Sequence, residues 1–430
     1  PPPYLLTSSS SSHPPPYLLT LLFLFSPSSS SSHPPPYLLT PSSSSHPPPY
    51  LLTPSSSSPT LLQFLPQLEE VDISWNDLIG GCLKALTSHL HHVGGIRKLR
   101  LCSCRLDTDD VAALGEALGS VLLLEILDLS WNSGIRGGAL QGLLGKLPPP
   151  LRELHLVACQ LTAADAAVLG TDFNAYRPQQ SRGSLRCLPA LQELDLSCNK
   201  SLAGGLNRLT LHLTHLTHLE SLDLHLCCLK HTDLEALIQV LPSLTALTEL
   251  DLSSNKEAGG VVHPLVSALP LTQMRRLPLN SCSLNQESFT ALALAVPYLR
   301  SVDVSWCKVV GGRLALLLDA LQPSVILELR LSSCELTTDD LHHLAAVCRR
   351  GCLSSLRLLD LSYNGSVGDD GWTALLAAGG LGSLEEADLS LRPSSCAPCS
   401  AWLPALLGAL PRLPALTRLA LQRHIDETNF

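Results

Sequence analysis

Several groups of residues have types and spacings from which chemistry can be built. Cys396 and Cys399 have the spacing of a redox pair or half a zinc site, but no second pair of suitable spacing completes four ligands. His212, His215 and His218 recur every third residue with His225 nearby, which would align imidazoles for a metal on one helix face. The same spacing more often sets histidines along the solvated flank of a repeat. Gly145-Lys146 ends like a phosphate-binding loop, yet Leu140 stands where the first glycine should be and Leu147 where a hydroxyl should follow. No Ser/His/Asp set can be singled out, because Asp recurs wherever the phrase Leu-Asp-Leu-Ser recurs. The expectation is a protein that is not an enzyme and has no cofactor, metal or small-molecule substrate.

The recurrence of Asp is itself the leading signal. A phrase Leu-x-x-Leu-x-Leu-x-x-(Asn/Cys) starts at Leu68, Ile96, Leu124, Leu151, Leu191, Leu219, Leu247, Met274, Leu299, Ile326 and Leu356, with degenerate copies at Leu384 and Leu416. These thirteen units have a mean spacing of 29 residues, the period of a leucine-rich repeat. The alternating phrase predicts a short strand with leucines facing inward, and the following stretch, such as Leu83, Leu86 and Leu90, predicts a helix. Strand-helix units repeated in one direction stack their strands in parallel and put the wider helices outside. The expected fold is therefore an α/β solenoid, a horseshoe with strands on its concave face and helices on its convex face.

Two kinds of unit alternate. One reads LDLSxN and then a Gly pair, as at Leu127–Asn132 with Gly137 and Gly138; the other reads LxLxxCxLT, as at Leu154–Thr162 and Leu329–Thr337. This alternation resembles the ribonuclease-inhibitor-like subclass of leucine-rich repeats over roughly residues 61–424. The resemblance implies a non-enzymatic, largely intracellular interaction scaffold.

Two segments of different character are joined. Residues 1–66 contain no Asp, Glu, Lys or Arg but 17 of the 33 prolines, and PPPYLLT with serine runs repeats through Tyr4, Tyr17, Tyr37 and Tyr50. Residues 1–60 are expected to be a disordered, low-complexity tract with polyproline II character, and 61–430 the repeat domain. The Pro-Pro-x-Tyr motifs resemble ligands of WW domains, which gives a competing reading as an adaptor. The near-identity of the units, serine runs included, reads instead as a translated DNA tandem repeat. The 40-residue spacing before Leu191 marks an irregular insert near 171–184, and both ends read as incomplete.

The residue between the second and third leucine of each unit should face the concave side. That column reads Asp72, Arg100, Asp128, His155, Asp195, Asp223, Asp251, Pro278, Asp303, Arg330, Asp360, Asp388 and Ala420. Asp beside Arg would be partly neutralised, whereas Asp195, Asp223 and Asp251 form an uncompensated run, each like-charge neighbour costing roughly 1 kcal/mol in water. Strands stand about 4.8 Å apart, so the run spans about 10 Å and is the candidate site for a protein with a basic surface. The alternative is that Asp belongs to the Leu-Asp-Leu-Ser framework and bonds nearby backbone. A second column, one before the ladder Asn, holds Trp75, Trp131, Cys198, Ser254, Trp306 and Tyr363. Rigid aromatic rings there are candidate interface anchors, or else packing against the next coil.

A formal charge of −9 leaves no basic surface for nucleic acid, and no apolar run approaches the roughly 20 residues of a membrane span. Cys104, Cys159, Cys227, Cys282 and Cys334 alternate with Asn76, Asn132, Asn199, Asn255 and Asn364 at the ninth position, and Cys307 replaces one expected Asn. An odd count of 15 cysteines, many of them placed by repeat periodicity, argues for reduced thiols in the cytoplasm or nucleus. The sequons at Asn199 and Asn364 fall on ladder asparagines that the fold should bury, so they are discounted as glycan sites.

Overall fold

The computed structural model describes residues 65–169, 185, 188–391 and 402–421. The proline-rich tract, the insert at 171–184 and Cys396 with Cys399 lie outside these residues. Each leucine phrase becomes a strand of three residues: β1 (Glu70–Asp72), β2 (Lys98–Arg100), β3 (Ile126–Asp128), β4 (Glu153–His155), β5 (Glu193–Asp195), β6 (Ser221–Asp223), β7 (Glu249–Asp251), β8 (Ser301–Asp303), β9 (Glu328–Arg330), β10 (Leu358–Asp360), β11 (Glu386–Asp388) and β12 (Arg418–Ala420). Each strand pairs in parallel with its neighbour in the register of the repeat, setting Asp72 opposite Arg100, and Asp223 opposite both Asp195 and Asp251. In the typical strand the central residue is buried and its two flanking residues are half-exposed. That is the alternation expected of a sheet with one packed face.

The unit at Met274 departs from the others. It forms no full strand, only bridges from Arg276 to Glu249 and to Ser301, so the sheet divides into β1–β7 and β8–β12. Pro278 occupies the column position there and has no N–H to give to a ladder.

Helices close each coil, and their apolar stripe meets the strand leucines. In the first coil Leu83 and Leu90 are buried and Leu86 packs partly buried on the core. The core is almost wholly aliphatic, with Phe289, Trp372 and Trp402 as its buried large aromatics. No helix among the described residues is long and apolar enough to cross a membrane.

The ladder at the ninth position ties coil to coil. The buried Asn132 amide donates to the carbonyls of Leu101, Leu129 and Ser130 at 2.8, 2.9 and 3.2 Å, and accepts from the N–H groups of Cys104 and Leu106 at 3.1 and 3.0 Å. Asn364 repeats this arrangement towards Leu331, Cys334 and Leu336. In the alternate coils a buried thiol donates to the preceding coil: Cys104 to the Ile73 carbonyl, Cys227 to that of Leu196, and Cys334 to that of Val304, each at 3.2 Å. Cys307 does the same towards Leu279 at 3.4 Å. Asn76, in the first described coil, is half-buried and accepts from the N–H of Leu78 in its own turn. Asn199 and Asn364 are fully buried, as the packing argument against glycans expected.

A second tie runs along the convex side. Asp340, near the start of the helix Thr338–Arg349, is buried, and its carboxylate accepts from Gly312 N–H at 2.7 Å and Leu314 N–H at 3.2 Å in the preceding coil, and from Thr337 N–H at 2.8 Å. Asp110, Asp165 and Asp233 repeat this clamp on Gly81, Gly137 and Gly204. It accounts for the pair Gly311 and Gly312. Gly312 turns with φ +74°, and a Cβ on Gly311 would stand 2.1 Å from the Glu335 carbonyl oxygen.

Candidate functional site: the concave face

Residues two apart on a strand share a face, so the concave surface carries two columns of side chains. The first strand position supplies Glu70, Glu153, Glu193, Glu249, Glu328 and Glu386, half-exposed beside the Asp column. The sequence reading took one outward residue per unit and missed this column. The period-2 alternation of the same phrase carries the signal for it.

The added glutamates change the charge pairing. Arg100 bonds Glu70, which Lys98 also approaches at 3.8 Å, and Arg330 bonds Glu328 at 2.6 Å. The two arginines expected to neutralise Asp neighbours are thus bonded to glutamates of the first column. In the centre, His155 lies 3.5 Å from Glu153 and 3.9 Å from both Glu193 and Asp195. Arg276 lies 3.6 Å from Asp251 and 4.0 Å from Glu249. The expectation of three uncompensated aspartates is therefore corrected. Asp195 and Asp251 each have a cation within 4.0 Å, and among the described residues Asp223 alone of the three has none so close, although the charge of Arg276 reaches it.

Titration follows from this arrangement. Burial alone would lower the His155 imidazole, but the carboxylates of Asp195, Glu193 and Asp128 around it raise it to about 9. Burial would raise Asp195, and the neighbouring His155 cation with the hydrogen bond from the Ser197 N–H outweigh it and hold the carboxyl below its ordinary value. Asp223 is pushed up to about 7, chiefly by burial and then by the charge of Asp251, with Asp195 adding to both.

The column aspartates also serve the framework. One carboxylate oxygen of Asp72, Asp128, Asp195, Asp223, Asp251, Asp303, Asp360 and Asp388 accepts from the backbone N–H two residues on, at 2.8 to 3.0 Å. This Asx-type bond closes the end of each strand and occupies one oxygen in each case.

At the strand ends, Trp75, Trp131, Cys198, Ser254, Trp306 and Tyr363 all hold left-handed backbone, with φ between 59° and 63°. In each the N–H donates to a carbonyl of the next coil, as Trp75 does to Cys102 and Trp131 to Val157, both at 2.7 Å. The conformation is costly for a residue with a Cβ, and the inter-coil bond holds it. Trp75, Trp131 and Trp306 remain 73%, 55% and 58% exposed, so their indoles line the rim and do not fill the core. The tryptophans left for the interior are Trp372 and Trp402, whose rings meet at 5.6 Å.

The histidine run does not converge. His212 and His215 stack with centroids 6.5 Å apart, while His218 faces the Pro189 carbonyl at 3.0 Å and His225 faces the Ser253 hydroxyl at 2.7 Å. No group of three or more His, Cys, Asp or Glu among the described residues has metal-binding geometry. Burial pushes the ladder thiols of Cys159, Cys227 and Cys282 up to about 12, far from a nucleophile's range.

A family model described as Leucine Rich repeat matches residues 352–376. The chain is 30% identical to the ribonuclease inhibitor of Sus scrofa over 345 residues, covering 77% of this chain and 71% of that protein. It is 30% identical to the ribonuclease inhibitor of Mus musculus over 279 residues, covering 63% of this chain and 59% of that one. Among solved structures, an internalin from Listeria monocytogenes superposes with a TM-score of 0.44 at 18% identity, covering 79% of this chain and 78% of the internalin.

Proposed function

Because the chain belongs to the ribonuclease-inhibitor-like leucine-rich repeat family, we propose that it is a non-enzymatic scaffold that binds a protein partner on its concave sheet. The contact is centred on Asp195, Asp223 and Asp251, with the rim aromatics Trp75, Trp131, Trp306 and Tyr363 as flanking anchors and Arg100 and Arg330 as lateral polar contacts. The observation that carries this reading is Asp223. It accepts the His225 N–H, has like charges on both sides and lies deep enough to be raised to about 7. A lysine or arginine of a partner placed there would relieve the repulsion that Arg276 offsets only in part. The partner is therefore assigned a basic surface. A chain of formal charge −9 with this acidic face offers nothing to a phosphate backbone. Buried, unpaired thiols such as Cys104 and Cys334 support a reducing compartment, the cytoplasm or nucleus.

Within the family, the phrases VDISWN, LCSCRLDTDDVAALGEAL, LDLSYNGSVGDDGWTAL and DLSLRPS are similar to leucine-rich repeat-containing protein 31 of vertebrates, and kinship with it is part of this proposal.

The test is affinity capture from cell lysate with the whole chain and with the Asp195→Arg/Asp223→Arg/Asp251→Arg variant, both checked by circular dichroism. Loss of a specific set of partners in the variant supports the central strip. Capture of the same set by both makes the aspartates framework alone. Four Pro-Pro-Pro-Tyr copies favour a second reading, recruitment of WW-domain proteins. Deleting residues 1–60 would abolish the partners of such an adaptor and spare those of the concave face.

A further inference from the structure

The first two rim tryptophans form a site with a period. Trp75 and Trp131 share the same left-handed turn and the same bond into the following coil, so the two indoles are presented in equivalent ways. Between them the intervening coil places Ser103, a small half-buried residue with φ +52°. The two coils are separated by one strand, β2, which pairs with both β1 and β3. Two strand spacings make about 9.6 Å. A polyproline II helix repeats every three residues, about 9.3 Å. Residues i and i+3 of such a helix therefore match the backbone spacing of Trp75 and Trp131.

We propose that the proline-rich tract of this same chain docks on the Trp75–Trp131 rim. In a Pro-Pro-Pro-Tyr unit the first proline and the tyrosine stand three apart and would lie on the two indoles in turn. This is the stacking by which aromatic grooves take polyproline segments. Three observations favour this occupant. The tract is rich in proline and tyrosine and carries no charged side chain, so it meets no repulsion from the acidic concave face. Its last unit, Pro47–Tyr50, is fourteen residues from Leu65, a span of up to about 50 Å that reaches both tryptophans of the first three coils. Four copies along one chain raise the effective concentration at the site. Docking would cover the motifs and two of the rim anchors at once. The inference does not depend on the acidic strip, because neither tryptophan belongs to it.

The experiment is acrylamide quenching of tryptophan emission in the full-length chain carrying Trp306→Phe. Trp372 and Trp402 are buried, so the accessible signal then comes from Trp75 and Trp131. It is compared with the same chain in which the twelve prolines of the four Pro-Pro-Pro-Tyr units are changed to serine, with circular dichroism and thermal melting to show that both fold. The expected result is quenching about two-fold weaker with the prolines in place, since stacking on a polyproline segment covers one face of each ring. Excess free PPPYLLT peptide should leave the protected chain unchanged and protect the serine variant. Equal quenching slopes in the two chains overturn the proposal. Protection that disappears on dilution overturns it too, because the occupant is then the tract of a second copy.

Discussion

The rings of Trp306 and Tyr363 meet with centroids 6.5 Å apart at an angle of 35°, although they belong to coils separated by the whole β9 unit. Ser333 holds the equivalent place in the intervening coil and is buried. Large rings at alternate coils with a small residue between them bring second neighbours into contact. This contact is the one inter-ring pair of the rim among the described residues, and a double-mutant cycle with Trp306→Ala and Tyr363→Ala in urea should give a coupling of about 0.5–1.5 kcal/mol. A coupling near zero would leave these rings no part in stability.

The Asn132 amide makes five hydrogen bonds in a fully buried position, two of them accepted from the preceding coil. Asn132→Ala leaves those backbone groups unsatisfied and should cost about 2–5 kcal/mol in denaturant unfolding. Asn132→Cys keeps one donor, as the thiol of Cys159 does towards Leu129, and should cost less. If the two variants are equally unstable, volume and not hydrogen bonding sets the residue at this position.

The convex clamp gives a paired expectation. In Gly311→Ala the new Cβ meets the Glu335 carbonyl oxygen, which is backbone and cannot swing aside. The loss should exceed that of Gly312→Ala, which meets open space and is charged only the left-handed turn, about 1–2 kcal/mol. Asp340→Asn places a donor either against the N–H groups of Gly312 and Thr337 or against that of Leu314, and should destabilise without changing side-chain volume. Melting temperatures of the three variants give the order directly.

The titration of Asp223 sets a pH dependence with a definite sign. Its folded pKa, about 7, lies above the ordinary carboxylate value of 3.8, so the stability linked to its protonated form is complete below that value and is lost as pH rises to about 7. Asp223→Asn should therefore be more stable than the wild type at pH 8 and no more stable at pH 3.5. His155, raised from 6.5 to about 9, contributes stability that is present below 6.5 and lost towards 9, so the variants should be compared at matched pH. A basic partner should bind Asp223 more tightly above pH 7 than below it, with release of a proton. Binding that is flat from pH 6 to 8 would remove Asp223 from the contact.

Much of the fold was legible because thirteen imperfect copies of one phrase repeat the same local decision. The inward leucines, the Asn/Cys ladder and the facing of the Asp column all follow from alternation and period. What was not legible depends on side-chain reach. Nothing in the spacing tells that Arg100 turns to Glu70 and Arg330 to Glu328, or that His155 and Arg276 bracket the central aspartates. The clamp of Asp340 on Gly312 links residues 28 apart, and reads in sequence as an ordinary helix start followed elsewhere by an ordinary turn. The left-handed turn under Trp75 and Trp131 leaves no composition signal, since such turns usually select glycine or asparagine.

The unit at Met274 has a meaning for the array as a whole. A solenoid holds together through nearest-neighbour interfaces, and its cooperativity is limited by the weakest of them. At this unit the strand ladder thins to single bridges through Arg276, and in the next coil Cys307 stands in place of the five-bond asparagine. Both ties weaken within two adjacent coils. The thinnest strand pairing of the array therefore lies immediately beside Asp251, at the edge of the acidic strip, while the leucine core runs through it unbroken.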